Sequence, residues 1–363
     1  MTWIHPRVVE SHYAGFPSLD LQAANYVAVL LPSLGGNLIS LHDRTRGFHF
    51  LHEPLATMDV NSSKEQGVSL VEYFHEPFAY GIPVLFPPNR FQDGTFQFSG
   101  HTYHLPINEP KTHNHIHGFF YNQPWPIVET GVREGSAYAV LRQQVNSSHA
   151  VYKFFPHTFA LTLTYELSAT GLLQQVDIFN QGSTPMPVML GFHTAFQVPF
   201  SPHSLAKDCR ISINIGEKWE LTDRKLPSGR KQRWDEMEKN LASKEGVQPF
   251  VHPLDAHYQA IPGRGPNRAV LRDLRAQAEF VYETDPQYTT WMLWNKDAKS
   301  GFFCPEPMTC VVNAPNLALP DTATGLVSLA PGERWSAISR MYVQPLSVDE
   351  IENPLYEWTN LTR

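Results

Sequence analysis

The sequence predicts an all-β protein built from many short strands joined by tight turns. Prolines number 30 and glycines 22, a density of turn-forming, helix-breaking residues that cuts a chain into short elements. Phe159, Leu161, Leu163, Tyr165 and Leu167 alternate with threonine and glutamate, the period of a strand with one buried face. The apolar run Tyr26–Leu31 is closed by turn residues rather than continued at helical spacing. Strands this numerous must stack as sheets or close into a barrel to cover their edges. No proline- or serine-rich linker divides the 363 residues, so one domain spanning 1–363 is expected.

In chain order, Tyr26–Leu31 and Asn37–Asp43 read as a hairpin across Pro32–Gly36, with Gly35 and Gly36 supplying positive φ. Residues 52–80 are irregular, with an exposed loop at 62–67 and Glu72, His75 and Glu76 as rim residues. Phe96, Phe98, Tyr103 and Leu105 alternate around Ser99–Gly100 as a second hairpin, and 159–180 form a third through Ala169–Thr170–Gly171. Residues 216–246 are the charge-rich exception, and 234–246 read as a short helix ending at Gly246. Strands resume at 269–274, 278–284 and 288–295, and the last runs from Gly325 to Val343 through the turn at 331–333.

Charged residues make up 17% of the chain and the formal net charge is −7, which gives no electrostatic case for nucleic acid or an anionic membrane. The three cysteines, Cys209, Cys304 and Cys310, are odd in number and lack CxxC spacing, as in a reducing compartment. The N-terminal residues hold no apolar signal region, and nowhere do eighteen apolar residues run together. A soluble, cytoplasmic protein is expected.

Three segments carry candidate chemistry. Gly81–Gly118 places Asn89 and Arg90 before a histidine-rich stretch in which His113, His115 and His117 alternate. On a strand those imidazoles would share a face and could converge on a metal. Cupin-type sites also need a following glutamate, which 119–125 does not offer, so polar ligand contacts or structural roles stay open. His193 ends the apolar run of 185–196, and Glu306 sits between two prolines in the apolar stretch 302–316. A carboxylate there must pair with a cation or use a shifted pKa. A His and a Glu, each at an apolar strand end, are the makings of an acid/base pair.

The blocks NRFQDGTFQFSGHTYHLPIN…HIHG, MPVMLGFHTAF, PEPMT…NAPN and LAPGE stand in one order. In that order the sequence resembles the aldose 1-epimerase (galactose mutarotase-like) family over residues 25–345. LGGN at 34–37 and KLPSG at 225–229 match weaker features. The resemblance implies a large antiparallel β-supersandwich with an open sugar cleft, and exchange of α and β anomers of an aldohexose without metal or organic cofactor. It makes His193 the acid at the ring oxygen and Glu306 the base at the anomeric hydroxyl. His117 and Arg90 become sugar-binding residues, with Asn89 beside Arg90. Asp255, with His257 two residues on, matches the sugar-binding aspartate.

The chain departs from the family pattern in two places. His193 is followed by Thr194-Ala195-Phe196 where His-Pro-Tyr-Phe is frequent, and His117-Gly118-Phe119 stands for His-Gly-Gly. Phe119 is therefore expected to narrow the cleft. A branch acting on hexose 6-phosphates would need a second cation, for which Arg90, Lys111, Arg230 and Arg264 are available. The rival readings are a sugar-binding module of the same fold without turnover, and a metal-dependent isomerase or oxygenase on the histidine run. A glycosidase would need a second carboxylate flanking the scissile bond. The expected partner is a small sugar, and the chain a monomer or homodimer.

Overall fold

Turn chemistry and alternation set the first sheet. In the computed structural model, which describes residues 5–54, 70–261 and 267–346, the strands Arg7–Tyr13, Phe16–Ala23, Tyr26–Leu31, Asn37–Asp43 and Phe48–His49 form an antiparallel meander in chain order. The expected Gly35–Gly36 turn has φ of +74° and +59°. A Cβ on Gly35 would lie 1.9 Å from the Tyr121 carbonyl oxygen, so glycine also permits this close approach.

A sheet of eight strands follows, antiparallel throughout. Its order is Ile127–Arg133, Ser136–Val145, Phe159–Ser168, Gly171–Asn180, Arg334–Pro345, Ala278–Thr284, Asn267–Asp273 and Cys209–Ile213. Leu163 stands opposite both Leu141 and Val176, so the apolar alternation of neighbouring strands falls on one buried face.

The second eight-stranded sheet carries the candidate site. It runs Pro227–Gln232, Ile215–Leu221, Asp255–Ala260, Thr290–Trp294, Phe302–Met308, Gly191–Phe192 and Val84–Leu85, with Phe196–Gln197 paired to the start of Phe302–Met308. Phe280 of the first large sheet stacks on Phe50 at 4.6 Å and meets Phe196 edge-on at 4.9 Å. Trp291 approaches Tyr282 at 6.2 Å. Each such buried ring contributes roughly 2–3 kcal/mol by leaving water, and together they lock one sheet to the other. Arg90–Gln92 pairs with Asn114–Ile116, and the expected hairpin Thr95–Phe98 with His101–His104 turns on positive φ at Ser99 and Gly100.

Two expectations change. The helix expected to reach Gly246 spans only Glu236–Leu241, capped by the Asp235 carboxylate. Beyond it the Ser243 hydroxyl donates to the Asn240 carbonyl, and Val247 pairs with Ile211, which draws the chain back to the sheet. The stretch read as irregular holds the short helix Val71–His75 and a turn of 3₁₀ helix at Pro77–Ala79. The loop at 62–67 and Arg264 lie outside the described residues. Cys209, Cys304 and Cys310 are buried and free. Among the described residues, no helix is long and apolar enough to cross a membrane.

Buried imidazoles make this fold sensitive to acid. His115 Nδ1 lies 2.7 Å from the Pro106 carbonyl, and His157 Nε2 lies 2.6 Å from the Tyr103 hydroxyl. Burial pulls each pKa down from 6.5 to about 4. The unfolded chain therefore binds more protons than the native one from about pH 6.5 down to about 4, and stability falls as pH falls through that window. Each imidazole contributes a slope of about 1.4 kcal/mol per pH unit. Calorimetry across this range is expected to show a steep loss of Tm, and His157→Asn to flatten it. An unchanged slope in that variant would mean that His157 is not held neutral.

Candidate active site

Register alone brings the candidate residues to one face. Asp255 stands opposite Trp294 and His257 opposite Met292, while Met292 and Trp294 stand opposite Glu306 and Cys304 on their other side. Opposed residues of antiparallel strands point the same way, so Asp255, His257, Met292, Trp294 and Glu306 share a surface. On the far side the ladder is interrupted. Gly191 pairs with Met308 and Phe196–Gln197 with Phe302–Phe303, and between them the chain stays bonded to its other neighbour, the His193 and Ala195 amides donating to the Pro83 and Gly81 carbonyls at 2.9 Å. Pro305 and Pro307, which cannot donate to a ladder, flank Glu306 in that gap. His193 occupies the same gap, its Nε2 3.2 Å from Glu306 Oε1.

Glu306 is 0% exposed, and neither of its oxygens has a partner in hydrogen-bond geometry; the His193 contact is close but off-line. Burial drives its carboxyl well above the ordinary range, Asp255 adds to the rise and Arg90 opposes it. Burial pulls His193 down from 6.5 to about 3. Burial thus reverses the ordinary order of the two groups, and a proton shared by the free pair sits on the carboxyl.

Aromatic rings wall the pair. Trp294 meets the His193 ring edge-on at 5.4 Å, and Phe78 lies 5.4 Å from His193 and 4.1 Å from His117. His117 reaches His193, ring centres 5.2 Å apart, through a two-residue kink: φ is +65° at His117 and +68° at Gly118. A Cβ on Gly118 would fall 2.1 Å from the Phe86 carbonyl oxygen, so only glycine fits. The His117 amide donates to the Asn89 carbonyl, and Asn89 Oδ1 accepts from the Arg90 amide, each at 2.9 Å. Burial, His193 and Arg90 hold His117 well below its usual pKa.

Charged groups form the rim. Arg90 Nε donates to both Glu109 oxygens at 3.0 Å, and its Nη1 lies 3.9 Å from Asp255 Oδ1. Lys225 Nζ approaches Asp255 Oδ2 at 3.6 Å. Asp255 Oδ1 and both ring nitrogens of His257 are buried without a hydrogen-bond partner. Burial takes His257 down to about 4.

The structure therefore gathers His193, Glu306, His117, Asn89, Arg90, Asp255 and His257. It does not bring the three alternating histidines together. His113, at φ +53°, turns to Asp93 at 2.9 Å, and His115 is tied to Pro106. Left-handed residues at 113 and 117 bracket a strand of only three residues, Asn114–Ile116, which defeats the alternation rule. Among the described residues, no three His, Cys, Asp or Glu side chains are grouped to hold a metal. Phe119 turns into the core and stacks on Phe154 at 5.4 Å instead of narrowing the cleft. Of the cations weighed, Lys111 is exposed and Arg230 pairs with Glu220 at 2.7 Å.

Sequence reasoning missed Phe78, Trp294, Lys225 and Glu109. Trp294 was within reach, since it shares strand parity with Met292. Phe78 carried no periodic signal.

The family model described as aldose 1-epimerase matches residues 17–342. A galactose mutarotase-like protein of Clostridium acetobutylicum superposes with a TM-score of 0.86 and 31% identity, covering 94% of this chain and 99% of that one. Galactose 1-epimerase of Lactobacillus acidophilus shares the fold at a TM-score of 0.66 and 15% identity, over 94% and 98% of the two chains. The Escherichia coli protein YihR is 31% identical over 119 residues, a match spanning 32% of this chain and 36% of YihR's length. The matched span covers nearly all of both large sheets and the whole gathered site, and the chain belongs to the aldose 1-epimerase family.

Proposed function

We propose that the protein is a mutarotase that interconverts the α and β anomers of an aldohexose. The observation that carries this reading is the buried His193–Glu306 contact at 3.2 Å, set among polar groups that lack protein partners. Buried donors and acceptors normally find partners. A ring of sugar hydroxyls, each both donor and acceptor, matches Asp255, His257 and Glu306. Trp294 and Phe78 offer rings for the apolar face of the pyranose.

Glu306 takes the proton from the anomeric hydroxyl, the C1–O1 bond gains double-bond character, and the C1–O5 bond breaks with its electrons going to O5. His193 delivers a proton to O5. Rotation about C1–C2 turns the aldehyde, and reclosure runs the same transfers in reverse on its other face. A hydroxyl donating to Glu306 stabilises its carboxylate and so moves the shared proton to His193 for the opening step. Concerted transfer avoids a free alkoxide, and each placed group supplies about 10²–10⁴-fold. The C1–O5 bond breaks and re-forms with no change of oxidation state, and what the side chains supply is the proton transfers that accompany it. Arg90 and Lys225 are matched by Glu109 and Asp255, a balance that suits a neutral sugar better than a hexose 6-phosphate.

Polarimetry and anomeric-proton NMR on fresh α-glucose and α-galactose are expected to show acceleration by the wild type. Glu306→Gln and His193→Asn should each lose at least about 100-fold. Acceleration that survives both substitutions would sink the acid/base assignment, and sugar binding without acceleration would favour a non-catalytic module.

The pH profile tests the shared proton. A second proton disables the pair, and burial holds His193 near 3, so the acid limb of kcat/KM should lie far below pH 6.5. Loss of the single proton disables the pair in base, and that limb belongs to the raised carboxyl of Glu306. Activity that instead falls with falling pH through an inflection near 6.5 would mean that His193 titrates as an ordinary imidazole.

A further inference from the structure

Arg90 has a long side chain with several rotatable bonds, and its use as a sugar ligand depends on what aims it. Nε donates to both oxygens of Glu109 at 3.0 Å, and Nη2 lies 3.0 Å from Glu109 Oε1. With that edge engaged, Nη1 is the corner directed at Asp255. Glu109 is itself held, by the Thr112 hydroxyl and by the Asn114 amide at 3.1 Å. The same Asn114 amide donates to the Arg224 carbonyl at 3.1 Å, and the Arg224 guanidinium returns to the carbonyls of Thr112 and His113. Lys225, the second cation at Asp255, directly follows Arg224.

We propose that Glu109 is a positioning residue for sugar binding: it fixes the Arg90 guanidinium toward Asp255 and cancels its charge beside the acid/base pair. The proposal rests on the mutarotase reading.

The charge matters as well as the aim. Around Glu306 stand His193 and His117 from the kinked segments, Asp255 and His257 from the Asp255–Ala260 strand, Cys304 on its own strand, and Arg90 and Lys225 at the rim. The Arg90 charge favours ionised Glu306 and disfavours protonation of His193, His117 and His257. Without the Glu109 carboxylate the site is one unit more positive, and Glu306 loses its proton at lower pH.

The test compares Glu109→Gln, Arg90→Met and the double variant in anomer exchange of glucose and galactose. E109Q keeps the size of the side chain and removes its charge. It is expected to raise KM about tenfold or more, because a charge-assisted fork is lost, and to leave kcat within about threefold. The alkaline limb of its pH profile should fall by about half a pH unit. In the R90M background, E109Q should add nothing. Additive effects, or a fall in Tm with KM and pH limb unchanged, would overturn the proposal and leave Glu109 a structural residue. A wild type that accelerates no aldose overturns the mutarotase reading, a result distinct from an active wild type indifferent to E109Q. Should E109Q not fold, Thr112→Val removes one support of the carboxylate while keeping its charge. It should raise KM without moving the pH limb, and an unchanged KM would count against the proposal.

Discussion

The burial of Glu306 without a hydrogen-bond donor is the constraint on which the rest of the site depends. An isolated carboxylate in such surroundings is costly, and the group responds by keeping its proton. Three features make the burial possible. Pro305 and Pro307 contribute no amide donors beside it. Met292, Met308, Leu226 and Val312 form an apolar cluster around Trp294. The interrupted ladder between Gly191 and Phe196 leaves space that His193 alone fills with a titratable group. The His193 and Ala195 amides are satisfied from the other side, by the Pro83 and Gly81 carbonyls. The gap in the pairing to Phe302–Met308 is where the imidazole and the carboxyl meet.

The framework was legible in the sequence wherever one rule governed a segment. Phe159–Ser168 alternates because one face meets the core and the other does not, and Ser99–Gly100 turns because its φ values demand it. The pairing of His193 with Glu306 was legible only through the order of several blocks, because each alone resembles an ordinary core residue. Reasoning failed where two rules competed. Alternation predicted that His113, His115 and His117 share a face, but left-handed backbone at both ends of Asn114–Ile116 sends each ring elsewhere. The same kink turns Phe119 into the core. Phe78 was illegible because a short 3₁₀ turn leaves no period to read, and Glu109 because its partner is 19 residues away on another element.

Asp255 and His257 present their side chains together. Two residues apart on one strand, they project to the same face, and both carry buried polar atoms without protein partners. On the mutarotase reading, the strand would offer the sugar an acceptor from one and a neutral imidazole from the other. Burial holds His257 neutral, which keeps its two nitrogens chemically distinct, one donor and one acceptor.

Anomer exchange asks little of binding energy and much of proton placement, since substrate and product differ only at C1. A site for it gains from holding one mobile proton between two groups whose affinities the surroundings bring close together. Burial moves Glu306 and His193 in opposite directions and overshoots, leaving the proton on the carboxyl. Arg90 corrects part of that overshoot at Glu306, and Asp255 limits the correction. On the mutarotase reading, the rim residues would act on the chemistry through charge as well as on the sugar through hydrogen bonds. An unmatched cation would bind hydroxyls equally well, but it would lower the proton affinity of Glu306 and of His193 together, so the pair would lose its proton at lower pH.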